Sequence, residues 1–115
     1  MKPSSAKNKG RIFQQFVVSA LLKAFPTLKP GDVRSTSMGA PGEDILLSPR
    51  AEETIAQFKI ECKKQEAAGP LYRWFEQAQS HCTVDGDMPL LIASKNHELP
   101  LVVLKLEHLI KLLQK

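Results

Sequence analysis

Glu61 and Lys63 stand two apart in Ala56-Gln57-Phe58-Lys59-Ile60-Glu61-Cys62-Lys63, a segment that alternates strictly between apolar and polar residues. Successive side chains of a strand point to opposite faces. Ala56, Phe58, Ile60 and Cys62 therefore share one face, and Gln57, Lys59, Glu61 and Lys63 the other. One carboxylate and one ammonium leave the same face close together. Asp44 opens the preceding apolar segment Ile45-Leu46-Leu47, just after Gly42. If the two segments pair as a hairpin, Asp44 and Glu61 converge. Two converging carboxylates are costly unless a cation lies between them. Hard oxygen ligands suit Mg2+, with Mn2+ able to substitute. Such an ion can activate water and clamp a phosphate. Lys63 would place a fixed positive charge where negative charge gathers in the transition state. These are the parts needed for phosphodiester hydrolysis. A Glu-x-Lys pair also arises by chance on a solvated strand, and structural context decides between the two.

The elements that must position these residues follow from pattern. Residues 1–9 hold three Lys, two Ser and a Pro with nothing to bury, and read as a flexible basic tail ahead of a single domain at 10–115. From Arg11 to Phe25, apolar residues recur at helical spacing (Ile12, Phe13, Phe16, Val17, Ala20, Leu21, Ala24), and Pro26 ends the helix. A loop over 27–32 leads to a short strand within 32–37. A turn at Met38–Gly42 follows, then a short buried strand at 45–47 closed by Ser48-Pro49. Residues 51–54 are polar. The alternating strand comes next and is broken at Ala67–Pro70. A helix is expected over 71–82, strands over 89–94 and 99–104 around the turn Lys95-Asn96-His97-Glu98, and a last amphipathic helix over 107–113. Helix, three strands, helix, two strands, helix is the order of an α/β domain whose mixed central sheet carries helices on its faces.

Size and charge agree with one such domain. A chain of 115 residues supports one core. Lys and Arg number 16 against 12 Asp and Glu, a formal charge of +4 that tilts the partner toward a polyanion such as nucleic acid. No apolar run is long enough to cross a bilayer, and the basic N-terminus has no apolar stretch behind it. A cytoplasmic protein is expected, with no membrane partner and with Cys62 and Cys82 reduced.

The ordered motifs resemble those of the PD-(D/E)XK nuclease superfamily, and within it the archaeal and phage-type Holliday-junction resolvases. Lys9-Gly10-Arg11-Ile12-Phe13-Gln14-Gln15 is similar to the basic-Gly opening of the family's first helix. Val33-Arg34-Ser35-Thr36-Ser37-Met38-Gly39 is similar to its Arg- and Ser-bearing loop. Gly42-Glu43-Asp44-Ile45 stands at the Asp motif, Ile60-Glu61-Cys62-Lys63 at the Glu-x-Lys motif, and Glu76-Gln77-Ala78 in the following helix. The resemblance covers roughly residues 9–113. It implies a restriction-endonuclease-like fold and a Mg2+-dependent endodeoxyribonuclease. The substrate implied is branched DNA, and the assembly a homodimer, since a symmetric junction is cut at two paired sites. Asp44 and Glu61 would be metal ligands, with the backbone carbonyl of Cys62 as a further one. Lys63 would position water and stabilise charge. Arg34 and Ser37 would meet phosphate near the site.

Two positions depart from the family. Gln14 stands where its first helix presents Glu, and would hold a metal-bound water instead. With Val17, Val18 and Leu21 three, four and seven positions on, Gln14 fits an inward-facing position, and a place on the helix surface equally well. Glu43 stands where the family's name has Pro, and alternation would send it to the face opposite Asp44. Lys64 and Arg73 could bind phosphate or simply be solvated. Trp74 and Phe75 could stack on bases, though Trp74 has the spacing of core or dimer packing. His81, Cys82, Cys62, His97 and His108 fit no familiar zinc spacing. Leu109, Ile110, Leu112 and Leu113 form a stripe suited to the core or a subunit contact. Three further readings stay open: a general or nicking DNase of the same fold, a DNA-binding protein that has lost catalysis, and a structural or partner-binding domain without DNA affinity at moderate salt.

Overall fold

The computed structural model describes residues 3–37, 40–65 and 70–114. Met1 and Lys2 of the expected tail, Met38-Gly39 of the expected turn and Ala67–Gly69 of the expected strand break lie outside the described residues. Among the described residues there are four α-helices: α1 (Pro3–Ala24), α2 (Pro49–Thr54), α3 (Leu71–Ser80) and α4 (Leu106–Leu113). The strands are β1 (Val33–Ser35), β2 (Ile45–Leu47), β3 (Phe58–Gln65), β4 (Met88–Lys95) and β5 (Leu101–Val103). They form one sheet in the order β1-β2-β3-β4-β5. Only β3 and β4 run parallel; every other neighbouring pair is antiparallel. The expected mixed α/β architecture is what forms.

Two elements differ from the sequence reading. Helix α1 starts at Pro3 rather than Arg11, so most of the expected tail is helical backbone. Proline suits a first helical turn, where its missing N–H would have no partner anyway. Farther along, the Lys9 ammonium donates to Asn96 Oδ1 at 3.0 Å, tying this end of the helix to the β4–β5 turn. Ser48-Pro49 closes β2 as expected and, beyond that expectation, opens α2. The Ser48 hydroxyl accepts from Ala51 N–H at 3.1 Å, and Pro49 takes the first helical position.

The long helix α1 packs on β1 and β3, while α3 packs on β3 and β4. Phe13 and Val17 of α1 join Val33, Ile45, Ile60, Leu90 and Ile92 in the main core. That core lies on the Ile60 face of β3. On the other face, Leu91 is the register partner of Glu61, and both Leu91 and Ala78 of α3 are fully buried. Helix α4 buries none of its residues, and Leu109, Ile110 and Leu113 are exposed. Leu112 is partly covered, so the stripe lies beside the buried core and is not part of it.

Candidate active site

The geometry of the site begins with the shortness of β2. That strand pairs with β3 at Ile45 and Ile60, so the residues just before it leave the ladder beside Glu61. Gly42 adopts φ +102°, a left-handed conformation natural to glycine, and the chain bends there. Asp44 is then held by three hydrogen bonds. Its N–H donates to the Ile60 carbonyl at 2.9 Å, and its own carbonyl accepts from Thr36 N–H at 2.8 Å. Its carboxylate Oδ2 accepts from Cys62 N–H at 2.9 Å. Backbone groups of alternate strand residues face the same neighbour, so the Cys62 carbonyl also points toward the Asp44 side.

Glu61 is 8% exposed, yet it is surrounded by charge rather than by apolar groups alone. Its Oε2 lies 3.7 Å from Lys63 Nζ, and its Oε1 lies 3.8 Å from His81 Nε2. Burial, and then the Asp44 carboxylate, push its pKa up to about 7, while Lys63 pulls the other way. Glu61 and Asp44 thus compete for one volume, and ionising both in the free protein is unfavourable. Cys62 points to the opposite face and packs against the core. Burial and the two neighbouring carboxylates raise its thiol pKa, so it is no nucleophile.

Asp44, Glu61 and Lys63 are brought together as the alternation and the hairpin predicted. His81, at the end of α3, joins them, a place its spacing in the sequence does not indicate. Nothing in a single-strand pattern could reveal it, because its position depends on how α3 crosses β3. Zinc fails for a geometric reason, since Cys62 and His81 lie on opposite faces of β3. Among the described residues, no three His, Cys, Asp or Glu side chains form a group that could hold a metal by themselves. Two carboxylates suit an ion that keeps water or phosphate oxygens in its remaining positions, and Mg2+ and Mn2+ are of that kind.

The other expected site residues fall elsewhere. Gln14 is buried on α1, between Phe13 and Val17, which pack on the Ile60 face rather than the Glu61 face. Arg34 pairs in register with Leu46, which puts it on the Asp44 side of the sheet, and it is exposed. Ser37 and Arg73 are exposed as well. Lys64 leaves the face opposite Lys63: its ammonium lies 5.6 Å from the centre of the Phe13 ring and donates to Ser94 Oγ at 3.4 Å. It therefore does not flank the Glu61 carboxylate. Glu43 does not turn away from Asp44 as alternation suggested. It meets Lys59 of the Glu61 face at 3.5 Å, and Glu52 meets the same lysine at 3.9 Å. The bend at Gly42 breaks the strand periodicity on which that expectation stood.

Residues 26–115 match the family described as "Phage putative PDDEXK endonuclease". No curated protein and no solved structure matches the chain. The family match includes every residue of the charged cluster and begins just after α1. Spanning most of the chain, it establishes that this protein belongs to the phage PDDEXK endonuclease family, a nuclease for which that membership implies DNA as substrate.

Proposed function

We propose that the protein is a metal-dependent endodeoxyribonuclease that cuts branched DNA, such as a four-way junction, as a homodimer in the host cytoplasm. The observation that carries the catalytic part is the convergence of Asp44 and buried Glu61 on one side of β3 with Lys63 beside them. Burial first, and the Asp44 carboxylate second, raise the pKa of Glu61, and a divalent cation would offset both. Asp44, Glu61 and the Cys62 carbonyl would hold the ion, Mg2+ or Mn2+. When bound, it would supply Lewis-acid stabilisation of the phosphate and a more acidic water.

The chain's own groups do the rest. Asp44 is fixed by its bond to Cys62 N–H, so its remaining oxygen is presented without rotamer search. Glu61 is held between Lys63 and His81. Lys63 orients the attacking water and offsets charge as the bond to the leaving oxygen breaks. Arg34, Ser37 and Arg73 would contact phosphates around the cut. Gln14, buried on the helix behind β3, would reach the site only past the edge of that strand, through a held water.

Branched DNA and the dimer come from the likeness to junction resolvases. Exposed apolar side chains on the last two elements support the dimer: Leu101 and Val102 of β5 and Leu106 and Ile110 of α4 are each exposed. The test is cleavage of a labelled four-way junction beside a linear duplex of the same sequence, with Mg2+, Mn2+ or EDTA. Paired cuts in the junction alone are expected. Cuts in both substrates would leave a general or nicking DNase. Tight binding without cuts in either metal would leave a DNA-binding protein.

A further inference from the structure

The face of β3 opposite Glu61 carries a second feature that the hydrolytic site does not use. Between α1 and the β4–β5 turn lies a cavity of about 550 Å³, lined by Lys9, Ile12, Phe13, Phe16, Lys64 and Glu98, among others. Its apolar walls are unusual for a surface helix. Phe16 is 57% exposed and Ile12 55%, although Phe13 and Val17 of the same helix are buried in the core. Helical spacing puts Ile12 and Phe16 one turn apart on the same side of α1. Two ammonium groups stand beside them. Lys9 is aimed by Asn96, and Lys64 by Ser94 and the Phe13 ring. Each lysine has three donors and spends one on these protein oxygens. Glu98 opposes them with a single carboxylate.

We propose that this cavity receives an unpaired nucleotide of single-stranded DNA, its base against Phe16 and Ile12 and its phosphate on Lys64 and Lys9. An aromatic face beside cations is the combination that binds single strands without regard to sequence. A base inside a duplex has no free face to offer, so the cavity discriminates for unpaired DNA at branches, flaps and ends. Lys64 follows Lys63 directly in β3, and the two point to opposite faces. Beyond Ile60 the β2 ladder has ended. A strand cut at the Glu61 side could therefore pass the open edge of β3 into this cavity. The DNA substrate rests on the nuclease reading above; the cavity's chemistry does not.

The test is fluorescence polarisation in EDTA with a labelled, 5′-phosphorylated oligodeoxythymidylate and, separately, a blunt duplex. Phe16→Ala should weaken single-strand binding roughly tenfold, as loss of one stacked base implies, and leave duplex binding nearly unchanged. Lys64→Gln should make the salt dependence of single-strand binding shallower by about 0.7 in the logarithmic slope. Phe16 and Lys64 are not core residues, and unchanged melting temperatures would establish that both variants fold. Wild-type single-strand affinity in both variants would overturn the proposal. So would equal weakening on duplex, or a change in molecular mass by light scattering with DNA affinity intact, which would make the cavity a protein contact. Cleavage read separately keeps the two claims apart. A protein that binds single strands through Phe16 but never cuts loses the nuclease reading and keeps the cavity. One that cuts without any dependence of binding on Phe16 loses the cavity alone.

Discussion

The two faces of β3 do opposite work with alternate residues of one strand. Ile60 and Cys62 face α1, a helix of 22 residues that closes a largely apolar layer over them. Glu61 and Lys63 face the side of α3, a helix of 10 residues whose end brings His81 against the carboxylate. One face gains stability from burial. The other spends some of it, holding a carboxylate at 8% exposure beside a second one. A site strained in this way is tolerable because the strand that carries it is anchored from behind.

Breaking the charged face should be felt in turnover first. Lys63→Ala should lower the cleavage rate by about two to three orders of magnitude, the usual loss when one stabiliser of transition-state charge is removed. DNA affinity should stay nearly the same, as read by polarisation. Wild-type turnover in this variant would remove Lys63 from the mechanism.

Breaking the apolar face should be felt in folding. Ile60→Ala should cost about 2–5 kcal/mol in chemical denaturation, since the side chain is fully buried and its neighbours cannot collapse into the gap. A loss under 1 kcal/mol would mean that α1 does not seal this face.

Glu61 links the two faces through pH. With its pKa raised from 4.5 to about 7, the folded metal-free protein binds more protons than the unfolded chain between those values. Stability from this group is therefore complete below about pH 4.5 and is lost as pH rises through about 7, by up to about 3 kcal/mol. Glu61→Gln should flatten that decline in melting curves taken from pH 5 to 8 in EDTA, and should weaken metal binding in calorimetry. Parallel curves for the two proteins would show that the carboxylates are not in conflict.

His81→Ala should have a smaller effect, because His81 touches the site only through Glu61 Oε1 at 3.8 Å. Metal affinity should fall about threefold to tenfold, at the low end for a group that orients a ligand. The melting temperature should hardly move. Unchanged affinity would leave His81 as no more than a helix-end residue.

How much of this was legible in the sequence follows the same division. The Glu61–Lys63 face was readable because a strand's alternation is a local property, and Asp44 was readable because a short hairpin had only one way to bring it near. Helix α2 is hidden in the sequence because Ser48-Pro49 ends a strand and the same pair serves as a cap and a first helical residue. The Pro3 start of α1 was missed because residues 3–10 lack an apolar stripe, and periodicity alone cannot see a helix without one. Glu43 was misplaced because Gly42 bends the chain out of strand geometry. His81 was assigned no role at the site because its approach to Glu61 is a property of packing between α3 and β3. The spacing around Gln14 fits an inward or an outward place equally; it is buried, within the helix that covers the opposite face.

The most direct test of the Asp44–Glu61–Lys63 centre compares wild type with Asp44→Asn on a labelled four-way junction, with Mg2+ titrated from zero and an EDTA control. The substitution keeps size and can still accept from Cys62 N–H, so the bend should survive. The account predicts that wild-type cleavage appears only with metal and that Asp44→Asn retains DNA binding but loses cleavage at every Mg2+ concentration. Cleavage by wild type in EDTA, or full turnover by Asp44→Asn, would contradict it.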